Sequence, residues 1–211
     1  MTHPLRIALA QIDPTVGAVA DNAARVAEVC REAAARDVDL VVFPELCIAG
    51  YPPEDLVLKP AFQRACRQAV EELAPVTADG PAMLVGTPWL SGKKIYNAAV
   101  LLQAGEVATW QAKHVLPNYG VFDEVRVFSE GPIPGPIPFT TRAGTVIRLG
   151  VLVCEDMWVE DVAEALEECG AELLLVINGS PFDVEKGEVR LQQAVARVTE
   201  TGLPLARSEE R

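Results

Sequence analysis

Apolar residues fall into two rhythms along this chain. Short unbroken apolar runs alternate with longer stretches in which apolar positions recur every three or four residues. The first rhythm marks buried strands and the second amphipathic helices. Leu5–Ile12, Asp39–Pro44, Ala82–Pro88, Val146–Val153 and Glu172–Asn178 read as strands. Between them, Asp21 reads as the cap of a helix whose apolar stripe is Ala23, Val26, Ala27, Cys30 and Ala34. Further helices are expected over Glu54–Leu73, interrupted at Pro60, over Val159–Cys169 and over Val184–Thr201. Tyr96–Gln103 and Val107–Ala112 flank Ala104-Gly105-Glu106 and read as a hairpin. Strands alternating with helices predict an α/β fold, and the hairpin makes its sheets mixed.

Three stretches break the rhythm. Lys113–Asp123 is polar, aromatic and rich in turn residues, unlike a core strand. Gly131–Pro138 alternates proline with other residues and predicts a stiff extended loop. Gly202–Ala206 reads as a turn and the start of a strand, which the charged Arg207–Arg211 then interrupts. The expectation is a fold whose last elements lie beyond this sequence.

Composition narrows the function classes. The 211 residues carry a net charge of −12, which disfavours nucleic acid and anionic membrane as partners. Five cysteines, odd in number and without a C-x-x-C pair, argue against a disulfide framework or a structural zinc site and for a reducing cytoplasm. No apolar run reaches the length of a membrane helix.

The candidate chemistry lies at strand ends, where open α/β folds collect their ligands. Cys154 follows the run Val146–Val153 and is itself followed by Glu155 and Asp156. Glu45 follows the second strand, and Lys113 the hairpin. Each alone has an ordinary reading: a buried small hydrophobe, a turn carboxylate, a surface ammonium. Together they supply a nucleophile, a base for its proton, and a cation for the oxyanion formed when a thiol attacks an amide. Lys113 beside Cys154 is expected to lower the thiol's pKa.

Phe43-Pro-Glu-Leu46, Lys113 with Leu116-Pro-Asn118, and Val153-Cys-Glu-Asp156 together resemble the nitrilase (carbon–nitrogen hydrolase) superfamily with its Glu-Lys-Cys triad. Leu116–Glu124 followed by Val127-Phe128 is similar, more narrowly, to the glutaminase domains of glutamine-dependent NAD⁺ synthetases. The resemblance runs from Arg6 to Leu205. It implies an αββα sandwich over residues 1–211, incomplete at its C-terminus, and hydrolysis of L-glutamine through a Cys154 thioester with Glu45 as base and Lys113 at the oxyanion. It also implies that Tyr51, Tyr119, Phe122, Glu155 and Ser180 line a glutamine pocket, with Lys186 as the cation for the substrate's carboxylate. The amidase reaction would need no cofactor and no metal. ATP and deamido-NAD⁺ would serve a synthetase domain absent from this sequence, which has no S-G-G-x-D phosphate loop. A homo-oligomer is the expected assembly. Rival readings are another amidase or carbamoylase of the superfamily, a cysteine peptidase using His114 as base, and a non-catalytic assembly domain.

Overall fold

The computed structural model of the chain describes residues 4–179 and 186–210, with 186 and 187 as backbone only. Among the described residues nine strands form two sheets. The first runs β1 (Ile7–Leu9), β2 (Leu40–Val42), β3 (Ala82–Ser91), β4 (Lys94–Gln103) and β5 (Glu106–Ala112) in spatial order. Its first three strands are parallel, and β3, β4 and β5 pair antiparallel as a meander. The second runs β6 (Ile137–Thr140), β7 (Val146–Val153), β8 (Leu173–Asn178) and β9 (Leu205–Glu209), with β6 antiparallel to β7 and the rest parallel.

Strand alternation decides what each face touches. Leu40, Val42, Leu84, Ala99 and Leu101 of the first sheet meet Phe139, Val151, Val153, Leu175 and Ile177 of the second, which forms the central core. Their neighbours Val41, Phe43, Met83, Val85 and Val100 point outward, onto α1 (Val19–Ala34) and α2 (Pro60–Leu73). On the far side Leu152, Leu174 and Val176 receive Val162, Ala163 and Leu166 of α4 (Glu160–Glu168) and Ala194 of α5 (Lys186–Thr201). The short α3 (Glu124–Val127) docks separately, with Val127 and Phe128 against Leu46 and Val57. The order is helices, sheet, sheet, helices: the expected αββα sandwich. Among the described residues no helix is long and apolar enough to cross a membrane.

Several boundaries differ from the sequence reading, each for a local reason. The helix expected from Asp21 begins at Val19, which leaves Asp21 in its first turn, where a carboxylate favours the helix dipole. Pro60 does separate two elements: Glu54–Leu58 is a 3₁₀ turn, and α2 starts with Pro60 in its first position. The Gly131–Pro138 loop ends in a strand, β6, because β6 lies at the sheet edge and can hold Pro138 there. The tail is the largest correction. Arg207, Ser208 and Glu209 do not interrupt the last strand but belong to it, pairing with Val176, Ile177 and Asn178. Ser208 is buried and donates from Oγ to the Phe43 carbonyl oxygen at 3.0 Å, tying the second sheet to the first.

Two close fits position the strand ends. The chain leaving β2 folds over Gly86 of β3, where a Cβ would stand 2.3 Å from the Leu46 nitrogen and 2.5 Å from the Pro44 oxygen. The buried Asp156 carboxylate accepts from the backbone N–H groups of Val153 (3.0 Å), His114 (3.0 Å) and Val115 (2.8 Å). One side chain therefore fastens the end of β7 to the segment that follows β5.

Both fits are testable. Gly86→Ala should destabilise the chain by on the order of 1–3 kcal/mol, read by urea unfolding, because backbone rather than a flexible side chain must move. Burial pushes the Asp156 carboxyl up from 3.8 to about 6 despite its three N–H donors and Lys113. A folded-state pKa raised above the unfolded one gives stability that is present below pH 3.8 and lost as the pH rises through about 6. The parent's stability relative to Asp156→Asn should therefore fall by about 2–3 kcal/mol across that window and level off above it. A constant gap between the two chains in paired urea titrations would contradict this.

Candidate active site

Glu45, Lys113 and Cys154 come from three different strand ends and meet at one edge of the sandwich. Glu45 lies beyond β2, and the left-handed Leu46 (φ 48°) turns the chain back so that the carboxylate points inward with no exposure. Lys113 continues the pairing of β5 through its N–H to the Asn97 oxygen, at 2.8 Å, before the chain departs. Cys154 is the first residue of the 3₁₀ turn Cys154–Trp158 and holds a left-handed φ of 49°. Such a conformation costs a non-glycine residue energy and is common where geometry serves a function. Here it directs the thiol off the strand axis.

The Lys113 ammonium is buried between two carboxylates, 2.7 Å from Glu45 Oε1 and 2.9 Å from Glu124 Oε1. Burial alone would depress its pKa, but Glu45, Cys154 and Glu124 outweigh burial and hold it well above its usual value. Asn97 Nδ2 donates to Glu45 Oε1 at 2.7 Å and lies 3.4 Å from Glu124 Oε2, and Tyr51 donates to Glu124 Oε1 at 3.1 Å. Burial likewise pushes the Glu124 carboxyl up. Every oxygen of this pair of glutamates thus has a donor except one: Glu45 Oε2 is buried without a hydrogen-bond partner.

Cys154 lies in the field of the same cluster. Lys113 does pull its pKa down as expected, and so does a backbone hydrogen bond from Gly179, but burial, then Glu45, outweigh them and push the thiol well above its usual value. Two carboxylates outnumber one ammonium. The resting sulfur is a thiol, and it can attack only while its proton is removed. Gly179 also faces Glu45, since a Cβ there would stand 3.2 Å from Glu45 Oε2. The residue that bonds the sulfur therefore borders the one unpartnered carboxylate oxygen.

The remaining expected pocket residues divide. Tyr51, Phe122 and Tyr119 form an aromatic row, with centroids 6.4 Å apart for Tyr51–Phe122 and 5.3 Å for Phe122–Tyr119. Tyr119 is half exposed and donates to the Glu155 carboxylate at 2.9 Å. Tyr51 spends its hydroxyl on Glu124. Ser180 lies outside the described residues. Lys186 opens α5, but its side chain also lies outside them. His114 is turned away: its Nδ1 is 2.8 Å from the Gly131 oxygen and 3.7 Å from Glu130.

Sequence reasoning missed Glu124, Asn97, Asp156 and Gly179. Glu124 stood inside the Leu116–Glu124 motif but reads as an ordinary acidic residue at a helix start, and only its burial (4% exposed) shows otherwise. Asn97, in mid-strand, carried a faint signal: a polar residue on a fully buried strand position needs partners. No cluster of metal-ligating side chains occurs among the described residues.

The chain is 47% identical to a glutamine-dependent NAD(+) synthetase of Rhodobacter capsulatus over 97% of its own length, and 42% identical to that of Xanthomonas campestris over 97%. It spans only 36% of either relative. Its fold matches a glutamine-dependent NAD+ synthetase of Acinetobacter baumannii with a TM-score of 0.89 and 32% identity, covering 98% of this chain and 38% of that one. It also matches an amidase of Nesterenkonia sp., whose active-site cysteine carries an acrylamide adduct, with a TM-score of 0.82 and 25% identity over 98% of this chain and 79% of that one. The carbon–nitrogen hydrolase family model covers residues 6–210, and the chain belongs to that family.

Proposed function

We propose that this domain hydrolyses the side-chain amide of L-glutamine and that the ammonia serves NAD⁺ formation from deamido-NAD⁺. ATP and deamido-NAD⁺ would be used by a synthetase domain such as the longer relatives are named for. The observation that carries the chemistry is the buried Cys154–Lys113–Glu45–Glu124 cluster with a single carboxylate oxygen, Glu45 Oε2, left to take a proton.

Cys154 Sγ attacks the amide carbon while its proton passes to Glu45. The carbonyl oxygen becomes an oxyanion, which the remaining N–H of Lys113 Nζ stabilises. Collapse breaks the carbon–nitrogen bond, and Glu45 returns the proton so that neutral ammonia leaves. A water then attacks the thioester, giving its proton to Glu45. Glutamate departs and the thiol re-forms. Glu124, Asn97 and Tyr51 keep Lys113 and Glu45 in register. Glu155, held by Tyr119, suits the substrate's α-ammonium, and Ser180 and Lys186 are the sequence's candidates for its α-carboxylate. The aromatic row packs the methylene stem.

Cys154→Ala should abolish glutamine hydrolysis. Glu45→Gln, which can neither take nor return the proton, should lower kcat/KM by about 10²–10⁴-fold. Ammonia release followed with intact-mass detection of a glutamyl adduct on Cys154 checks both. Turnover of simple aliphatic amides but not glutamine, still dependent on Cys154, would favour a general amidase. Because the thiol's pKa is raised, alkylation of Cys154 by iodoacetamide should also climb with pH without levelling off by about pH 9.

A further inference from the structure

The aromatic wall of the site is carried on two segments that share no sheet: the stretch around Tyr51, and residues 117–128. Three contacts join them. Val127 and Phe128 pack with Val57 below, Tyr51 reaches Glu124 on the inner side, and Arg126 spans the outer side. The Arg126 guanidinium donates from Nε to Asp123 Oδ2 at 2.5 Å, from Nη2 to Glu54 Oε2 at 3.0 Å, and from Nη1 to Asp55 Oδ1. Glu54 holds a left-handed φ of 47°, which a side chain tolerates only when its surroundings hold it there.

We propose that Arg126 is a positioning residue for the pocket, a strap that closes the segment bearing Tyr119, Phe122 and Glu124 against the turn that follows Tyr51. The charge count supports this. One guanidinium faces three carboxylates, one on its own segment and two on the other, so without it the facing surfaces repel. A planar fork reaches several acceptors at once, which a lysine's point charge does not. Exposed ion pairs contribute little to global stability, and this strap lies outside the sandwich core, so its effect is local opening rather than unfolding. The contrast within α3 is the reason it matters: Glu124 and Arg126 are two residues apart, one turned onto Lys113 and the other onto the strap. A loosened strap moves the aromatic wall, while Lys113 and Asn97 still hold the second glutamate on the inner side.

As a role in glutamine binding, this rests on the proposed function, but its first readout does not. In the full chain, Arg126→Gln should speed hydrogen exchange of the peptide spanning 117–128, where the N–H groups of Phe122, Glu124 and Phe128 are bonded within the segment, and leave exchange in β7 and β8 unchanged. With glutamine as substrate, KM should rise by about five- to tenfold while kcat stays within about threefold. Raising salt should weaken the parent toward the variant but improve the variant, whose carboxylates then repel less. Arg126→Lys should fall between the two. Unchanged exchange and KM in Arg126→Gln would overturn the proposal, and so would a loss of kcat matched by a fall in Tm, which is the mark of a structural role alone. A parent that shows the exchange difference without turning over glutamine would retire the glutaminase reading and leave the strap standing.

Discussion

The arrangement turns on one buried ammonium. An isolated lysine cannot stay charged inside a protein, because transfer from water costs more than any single interaction returns. Lys113 stays charged because two carboxylates come to it, Glu45 from beyond the end of β2 and Glu124 from the start of α3, eleven residues after the lysine. Each glutamate would be equally costly alone. The trio is stable only as a unit, so the folds of three separate chain segments have to agree on one point. That requirement explains why so many constraints gather there: a left-handed Leu46, a glycine beneath it, Asn97 donating between the glutamates, and a tyrosine hydroxyl given to Glu124.

The sulfur belongs to the other sheet, and its registry with the lysine needs separate control. Asp156 provides it by collecting N–H groups from both strand ends, and Gly179 provides it again from just beyond β8. These are backbone contacts, which leave little rotameric freedom. Apolar packing joins the two sheets over most of their shared face and fixes spacing better than lateral position, and buried Gln111 of β5 adds a bond to the Val151 oxygen of β7 at 2.6 Å. Asp156 and Ser208 place polar bonds across that boundary, so a small sliding of one sheet on the other would break hydrogen bonds as well as packing.

The sheets and outer helices were legible in the sequence because burial on one face or two leaves a period, as in Leu40–Val42 between both layers and in the stripe of α1. The three candidate residues that meet at the sandwich edge stood out because strand ends advertise themselves when an apolar run stops at a reactive residue. What was not legible has a common cause. Glu124, Asn97 and Asp156 are polar groups whose burial is decided by other segments, and apart from the mid-strand place of Asn97 nothing local distinguishes them from solvated ones. The last strand failed in the same way: Arg207 and Glu209 look like surface charges, yet they occupy ladder positions opposite Val176 and Asn178. The net direction of the Cys154 shift was misjudged because the neighbour Lys113 was visible in the sequence and the depth of the thiol's burial, the largest cause, was not.

That second carboxylate changes how the proposed chemistry has to run. With Lys113 positive and both glutamates ionised, the cluster carries one net negative charge beside a neutral thiol. A pre-formed thiolate would add a second negative charge to a buried site, which burial and the neighbouring Glu45 both oppose. If the proton instead passes from Cys154 to Glu45 as the carbon–sulfur bond forms, the charge lost by the carboxylate reappears on the oxyanion, next to the same ammonium. The total never changes. Preorganised groups stabilise charge best when it moves within their reach rather than accumulating. On this view Glu124 is what lets Lys113 keep its charge while Glu45 is protonated. A single glutamate would leave the lysine unpaired in the middle of the reaction, and the second carboxylate is therefore part of the mechanism rather than of its scaffold.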